Sequence, residues 1–338
     1  MTSSRIHRRC GILLASSCAL ALTSCGGLRS VPILEAGGPR GHLFIVGGGP
    51  RPAEMMRQFV QLAGGPGRAR ILVFPQASGD AATGESLVAE FRALGVADAR
   101  SAPLTRPQAQ EETGARLLEG ITGVWFAGGD QSRLTAAIGG TPVETAIHQR
   151  YRDGAVIGGT SAGAAVMSAM MITGDERRLG GDRPPRDSSE AYLTIDRSNI
   201  VTARGFGLLP RTIVDQHFVR RKRHNRLMSL VLENPDMLGV GIDEATALQV
   251  NPDGRWTVVG ASVVVVYDAR TARVTPSGVL GATGVRLHIL SPGSVYDPRT
   301  GLATLGAFGL PARPQPALLR TGKEAARALS RDLACPSC

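Results

Sequence analysis

From Gly41 onward, short apolar runs alternate with longer amphipathic ones, and Gly or Pro marks most of the junctions. That alternation restricts the chain more than any other feature. Strand, helix and strand in succession form βαβ units, and such units build a mostly parallel sheet with helices on both faces. Residues 41–46 (GHLFIV) read as the first strand, which stops at Gly47-Gly48-Gly49-Pro50. Residues 53–63 carry apolar side chains at helical spacing and end at Gly64-Gly65-Pro66. Residues 70–75 (RILVFP) have the unbroken apolar character of a strand covered on both sides. Helices are expected over 84–94 and 106–118, strands over 123–127 and 155–158, and a helix over 162–171. In sheets of this kind function gathers at the carboxyl ends of the strands. Three Gly-rich breaks fall there, after Val46, Ala127 and Gly158.

Residues 173–204 change character, with many charges and Pro184-Pro185, and are expected to form a long loop or flap near the site. A helix is predicted from His217 to Glu233, with strands over 238–241 and 247–250. The β-branched stretches 255–268 and 284–290 suggest terminal hairpins, and 323–333 a last helix. With 338 residues, 43% of them hydrophobic, the chain is large enough for one α/β core.

The N-terminus reads differently. Arg5, Arg8 and Arg9 precede a short apolar stretch, 12–23, which falls below the about 20 residues that a membrane span needs and fits a secretory signal. It ends in Leu22-Thr23-Ser24-Cys25, which looks like a bacterial lipobox, with Cys25 as the lipid attachment site. The expected organisation is a lipoprotein signal peptide over 1–24, a linker over 25–40, a hydrolase domain over 41–310 and a tail over 311–338. The expected location is outside the cytoplasm, anchored to a membrane through Cys25, with free secretion as the alternative.

The remaining charge is still basic, because 1–24 removes three arginines and no acid from a formal +10. Part of the excess lies in Arg220-Arg221-Lys222-Arg223-His224, but no stacking aromatics or zinc-finger spacing accompany it, so nucleic acid is not an expected partner. Of the 5 cysteines only Cys335 and Cys338 lie beyond the signal and the lipobox; they form a disulfide or an unstructured tail, and at most half a zinc site. Neither a metal nor a cofactor is expected. No H-E-x-x-H or comparable cluster occurs. The Gly47-Gly48-Gly49-Pro50 turn lacks dinucleotide-binding spacing, with Pro52 where the third Gly belongs.

The chemistry is concentrated at Gly159-Thr160-Ser161-Ala162-Gly163, a G-x-S-x-G turn between an apolar strand and a helix. A nucleophile on so sharp a turn needs tiny neighbours two positions away, so that strand and helix can approach. The amide of Ala162 then points where an oxyanion would develop. A serine nucleophile needs a base, and His217 in Val214-Asp215-Gln216-His217-Phe218 lies at a strand end, unlike His42, His148, His224 and His288. The acid that orients the imidazole is Asp243 or Glu244, again at a strand end, and position does not choose between them.

Four blocks together, Gly128-Gly129-Asp130-Gln131, Gly159 to Gly163, Asp215 to Phe218 with Arg221, Arg223 and Arg226, and Gly241-Ile242-Asp243-Glu244-Ala245, resemble the cyanophycinase and aspartyl dipeptidase family of serine peptidases. The resemblance runs from about Gly41 to Asp268. It implies a fold like class I glutamine amidotransferase domains and a Ser–His–Glu triad on Ser161, His217 and Glu244. It also implies an oxyanion hole from the amides of Ala162 and Gly129. Gln131, Asp215, Gln216, Arg221, Arg223 and Arg226 match positions that line the family's substrate site. The implied substrate is cyanophycin, a polyaspartate backbone carrying arginine side groups, or a related aspartyl peptide. An arginine-bearing helix suits such carboxylates, whereas Arg220 and Lys222 read as solvated. Two alternatives stay open, an α-aspartyl exopeptidase and a catalytically silent binding lipoprotein on the same fold; a homodimer stays open as well.

Overall fold

The computed structural model describes residues 38–177 and 194–306. The signal peptide, Cys25, most of the linker, the centre of the 173–204 segment, the expected helix over 323–333 and the pair Cys335/Cys338 lie outside the described residues.

The first half of the chain is the expected alternation: β1 (Leu43–Val46), α1 (Ala53–Leu62), β2 (Arg70–Phe74), α2 (Thr83–Ala93), β3 (Asp98–Ser101), α3 (Arg106–Gln110), α4 (Glu112–Arg116), β4 (Gly123–Phe126), α5 (Gln131–Ile138), α6 (Pro142–Asp153), β5 (Val156–Thr160) and α7 (Ala162–Ala165). An antiparallel pair follows, β6 (Met170–Glu176) with β7 (Ile200–Arg204). Then come β8 (Thr212–Gln216), α8 (His224–Glu233), β9 (Leu238–Ile242), β10 (Thr246–Val250), β11 (Trp256–Gly260) and β12 (Val264–Asp268). Short strands end the described chain: β13 (Arg273–Val274), β14 (Ala282–Thr283), β15 (Arg286–Leu290), β16 (Val295–Asp297) and β17 (Leu302–Thr304).

Two sheets carry the molecule. The larger has the order β17-β16-β11-β10-β1-β5-β4-β2-β3, in which β1, β5, β4, β2 and β3 run parallel and the other four add on antiparallel. The smaller has the order β15-β12-β9-β8, with β8 and β9 parallel and the rest antiparallel. Side-chain alternation along β1 shows the layering. Phe44 and Val46 pack on one face with Met55, Met56 and Phe59 of α1 and Phe91 of α2. Leu43 and Ile45 face the other way, into a core shared with α5, α6 and α7 and with Val214, Val240 and Val266 of the smaller sheet. The smaller sheet is closed on its far side by Leu227, Leu230 and Val231 of α8. Each such fully buried aliphatic or aromatic side chain contributes about 1.5–3 kcal/mol.

Three local expectations are corrected. The helix expected over 106–118 breaks at Glu111, which is extended (φ −83, ψ 147). The helix expected over 162–171 stops at Ala165. Past that point the chain's carbonyls are captured from outside: Phe206 N–H donates to Val166 O (2.6 Å), Leu209 N–H to Met167 O (2.9 Å) and Gly205 N–H to Ala169 O (3.0 Å). Tertiary hydrogen bonds override a locally helical pattern here. Finally, 255–268 is not one hairpin. β11 pairs with β10 and β16 in the larger sheet, β12 with β9 and β15 in the smaller. The crossing is pinned by Ala261 N–H to Ala245 O (3.0 Å) and Ser262 N–H to the Thr246 hydroxyl (2.8 Å).

Candidate active site

Three strand ends converge. Ser161 follows β5, His217 follows β8 and Glu244 lies two residues past β9. Ser161 has φ 55 and ψ −111, a conformation that costs a non-Gly residue on the order of 1–3 kcal/mol. The turn is held by Ser161 N–H to Val46 O (3.0 Å). A Cβ on Gly159 would overlap the backbone of Gly163, and one on Gly163 would overlap the carbonyl of Phe126, so strand and helix meet here only because both positions are Gly.

His217 Nε2 is 3.0 Å from Ser161 Oγ, and His217 Nδ1 is 2.6 Å from Glu244 Oε1. With Nδ1–H donating to the carboxylate, Nε2 is left to accept the hydroxyl proton. The two acids make different contacts. Asp243 accepts from Arg220 N–H (2.9 Å) and from the Ser262 hydroxyl (2.7 Å), so it ties the turn together, whereas Glu244 faces the imidazole. Burial lowers the pKa of His217 below the usual imidazole value; the Glu244 hydrogen bond opposes this, and the charges of Arg221 and Arg223 add to it. The imidazole is therefore neutral at neutral pH.

One feature of the site has no counterpart among the expected site residues. The Gly47–Gly49 turn, set aside as a poor dinucleotide loop, joins the loops that carry His217 and Glu244. Gly47 O accepts from His217 N–H (2.7 Å), and Gly48 O accepts from Ala245 N–H (3.0 Å). Gly48 has φ 110, and a Cβ there would overlap the His217 ring; a Cβ on Gly49 would lie 2.8 Å from Glu244 Oε2. The available signal was three consecutive glycines at the carboxyl end of an apolar strand. Beyond Gly49 lies an open groove of about 460 Å³, bordered by the Arg51–Glu90 ion pair (2.6 Å).

The Gly128–Gly129 turn lies against the nucleophile, since a Cβ on Gly128 would sit 3.4 Å from the Ser161 Cβ. Ala162 is the first residue of a four-residue helix, so its N–H has no intrahelical acceptor.

Of the six residues expected to line the substrate site, Arg221 is exposed and close enough to His217 to act on its charge. The other five have polar groups engaged within the protein. Gln131 is buried and donates to the carbonyls of Ile172 and Thr173, which fastens β6. Asp215 (1% exposed) and Arg226 (2% exposed) form a two-point ion pair, with Arg226 Nε 2.6 Å from Asp215 Oδ2. Arg223 Nη1 donates to both the backbone and side-chain oxygens of Gln216, each at 2.8 Å. Among the described residues no group of three or more His, Cys, Asp or Glu is arranged to hold a metal ion, and no helix is long and apolar enough to cross a membrane.

The model of peptidase family S51 matches residues 43–257. A cyanophycinase of Synechococcus elongatus is 37% identical over 275 residues, covering 78% of this chain and 81% of that protein. A cyanophycinase of Geminocystis herdmanii (strain PCC 6308) is 33% identical over 273 residues, covering 77% and 95%. Among solved structures, a peptidase from an acI-B1 actinobacterium superposes with a TM-score of 0.52 at 23% identity, over 74% of this chain and 98% of that one, a likeness of fold.

Proposed function

The chain belongs to peptidase family S51, the serine-type peptidases that include the cyanophycinases, and from that premise we propose that it hydrolyses β-aspartyl-arginine units of cyanophycin or a related aspartyl peptide. The observation that carries the catalytic part is the continuous chain Glu244–His217–Ser161, with contacts of 2.6 and 3.0 Å. In this reading Ser161 Oγ attacks the scissile carbonyl carbon as His217 Nε2 takes its proton. The amides of Ala162 and Gly129 stabilise the oxyanion. The C–N bond breaks as His217 returns the proton to the leaving amine, and a water activated the same way then hydrolyses the acyl-enzyme. Glu244 fixes the imidazole tautomer and stabilises its protonated form. Arg221 supplies the cation for a substrate carboxylate.

Asp215, Gln216, Arg223 and Arg226 act in this proposal by holding the end of β8, the strand that delivers His217. The lipobox-like sequence at Cys25 supports export and anchoring to a membrane, where the enzyme would meet polymer supplied from outside.

The test uses the soluble chain from Gly26 onward beside its Ser161→Ala variant. Each is incubated with insoluble cyanophycin, and the supernatant is assayed by mass for aspartyl-arginine dipeptide. Release by the parent alone, with the variant slower by about 10⁴-fold or more, is the expected result. If neither releases dipeptide, a fluorophosphonate probe decides: labelling of Ser161 keeps the hydrolase and discards the substrate. No labelling removes the mechanism.

A further inference from the structure

Asp243 is a buried acid that the proposed mechanism does not use. It is 8% exposed and stands between β9 and Glu244. His217 and Glu244 follow neighbouring parallel strands, whose register ends at Gln216 with Ile242. The ladder adds one more bond, from Phe218 N–H to Ile242 O (3.2 Å). There the two chains leave the sheet, and each passes through a positive φ, 49 at His217 and 52 at Ala245. Backbone outside helix and sheet finds its partners elsewhere.

Side chains take over from the ladder. The residues after His217 wind into turns, with Arg221 N–H on His217 O (2.9 Å) and Arg223 N–H on Phe218 O (3.0 Å). Arg220 N–H goes instead to Asp243 Oδ1 (2.9 Å). The other carboxylate oxygen, Oδ2, accepts from the Ser262 hydroxyl (2.7 Å), on the segment that crosses from β11 to β12. Asp243 N–H also donates to Val263 O in that segment (3.2 Å). Ser262 holds the far side of Glu244 as well. Its N–H donates to the Thr246 hydroxyl (2.8 Å), which donates to Glu244 O (3.0 Å). Glu244 thus sits between two stretches fastened to Ser262, and one of them, through Asp243, is fastened to the loop of His217.

We propose that Asp243 is a positioning residue, whose carboxylate clamps the His217 loop to the Glu244 loop and sets the spacing along Glu244–His217–Ser161. The inference rests on the roles proposed above for those three residues. A short side chain with two acceptor oxygens suits the task, because a backbone N–H and a hydroxyl both reach it. What the clamp holds constant is the 2.6 Å contact between His217 Nδ1 and Glu244 Oε1, on which the tautomer of the base depends. It works by shape, since the charges that act on the imidazole are those of Arg221, Glu244 and Arg223. Without it the Arg220 N–H and the Ser262 hydroxyl lose their common acceptor, and the loops are free to drift apart.

The test uses the full chain and measures how fast a fluorophosphonate probe labels Ser161, a reaction that draws on the base without the natural substrate. Well below its unfolding midpoint, Asp243→Ala should label about 10²-fold more slowly than the parent, the scale on which a misplaced catalytic group acts. Asp243→Asn should restore most of the rate. Its carbonyl oxygen can accept from Arg220 N–H, and the Ser262 hydroxyl can turn to accept from its amide. Proton NMR adds a readout that lost stability alone would not move. The far-downfield signal of the proton between His217 Nδ1 and Glu244 should persist in the parent and the Asn variant and vanish in the Ala variant. Labelling of Asp243→Ala at the parent's rate would overturn the proposal. So would an Asn variant as slow as the Ala one, because the charge and not the shape would then be what matters. If Asp243→Ala does not fold, Ser262→Ala decides, since it removes one of the two contacts; it should label more slowly than the parent, and an unchanged rate counts against the clamp. A parent that is not labelled at all removes the serine mechanism itself, a different failure from a labelled parent with an unaffected Ala variant.

Discussion

Ser161, His217 and Ala245 all have positive φ, at 55, 49 and 52, although none is glycine. Such conformations persist only where the surroundings over-determine them, and here the surroundings are largely the Gly47–Gly49 turn. Gly48→Ala is therefore expected to cost far more activity than stability. Its methyl group would occupy the space of the His217 ring, so kcat should fall by at least about 10²-fold, the scale on which misplacing a catalytic group acts. The check is kcat beside the unfolding midpoint; a large loss of midpoint with kcat intact would mean that the turn only supports the fold. The His217 pKa gives a second prediction with a definite sign. In the proposed mechanism the neutral imidazole is the active form, and burial first, with Arg221 and Arg223 contributing, lowers its pKa. Activity should thus be retained below the ordinary imidazole range and fall on the acid side as pH drops through the lowered value. Arg221→Ala removes one of the charges that disfavour the imidazolium, so the acid limb of kcat/KM should move to higher pH. A limb that stays in place would separate Arg221 from His217.

At the scale of elements, the connection from β8 to α8 depends on a pair sealed from water. Asp215 and Arg226 have almost no exposure, and their ion pair locks the residue two before His217 to the first turn of α8. Removing Arg226 leaves the buried Asp215 carboxylate only the more distant Arg223, 3.7 Å away, at a cost of about 3 kcal/mol. Arg226→Met should lower the unfolding midpoint accordingly, whereas Arg226→Met combined with Asp215→Leu should recover much of the loss, as replacement of a whole buried pair often does. A double variant as unstable as the single one would show that the pair does more than neutralise itself. The parallel strands, the serine turn and the strand-end positions of His217 and the acids were legible in the sequence, because apolar runs and Gly breaks are local signals. The burial of Arg226 was not. Its position on an Arg-bearing helix reads as lining the substrate site, and only the fold brings Asp215 beneath it. Likewise nothing local in residues 162–171 announces that carbonyls at 166, 167 and 169 are claimed by residues 205–209. The assignment of β11 and β12 to different sheets was hidden for the same reason, since strand character does not name its partner.

At the scale of the whole molecule, Ser161 belongs to the nine-stranded sheet, while His217 and Glu244 are delivered by the four-stranded one. The arrangement works because the sheets share one core, in which Leu43, Ile45 and Ile157 pack with Val214, Val240 and Val266. Unfolding should therefore be a single cooperative transition, with near-ultraviolet circular dichroism, calorimetry and loss of activity coinciding. Two resolved transitions would mean that the sheets come apart separately. The division between sheets also has a consequence in time. During synthesis Ser161 emerges 56 residues before His217, and His217 27 residues before Glu244. A chain interrupted anywhere short of the second sheet carries the strained Ser161 turn without the two side chains, His217 and Glu244, that line up behind it in the complete fold.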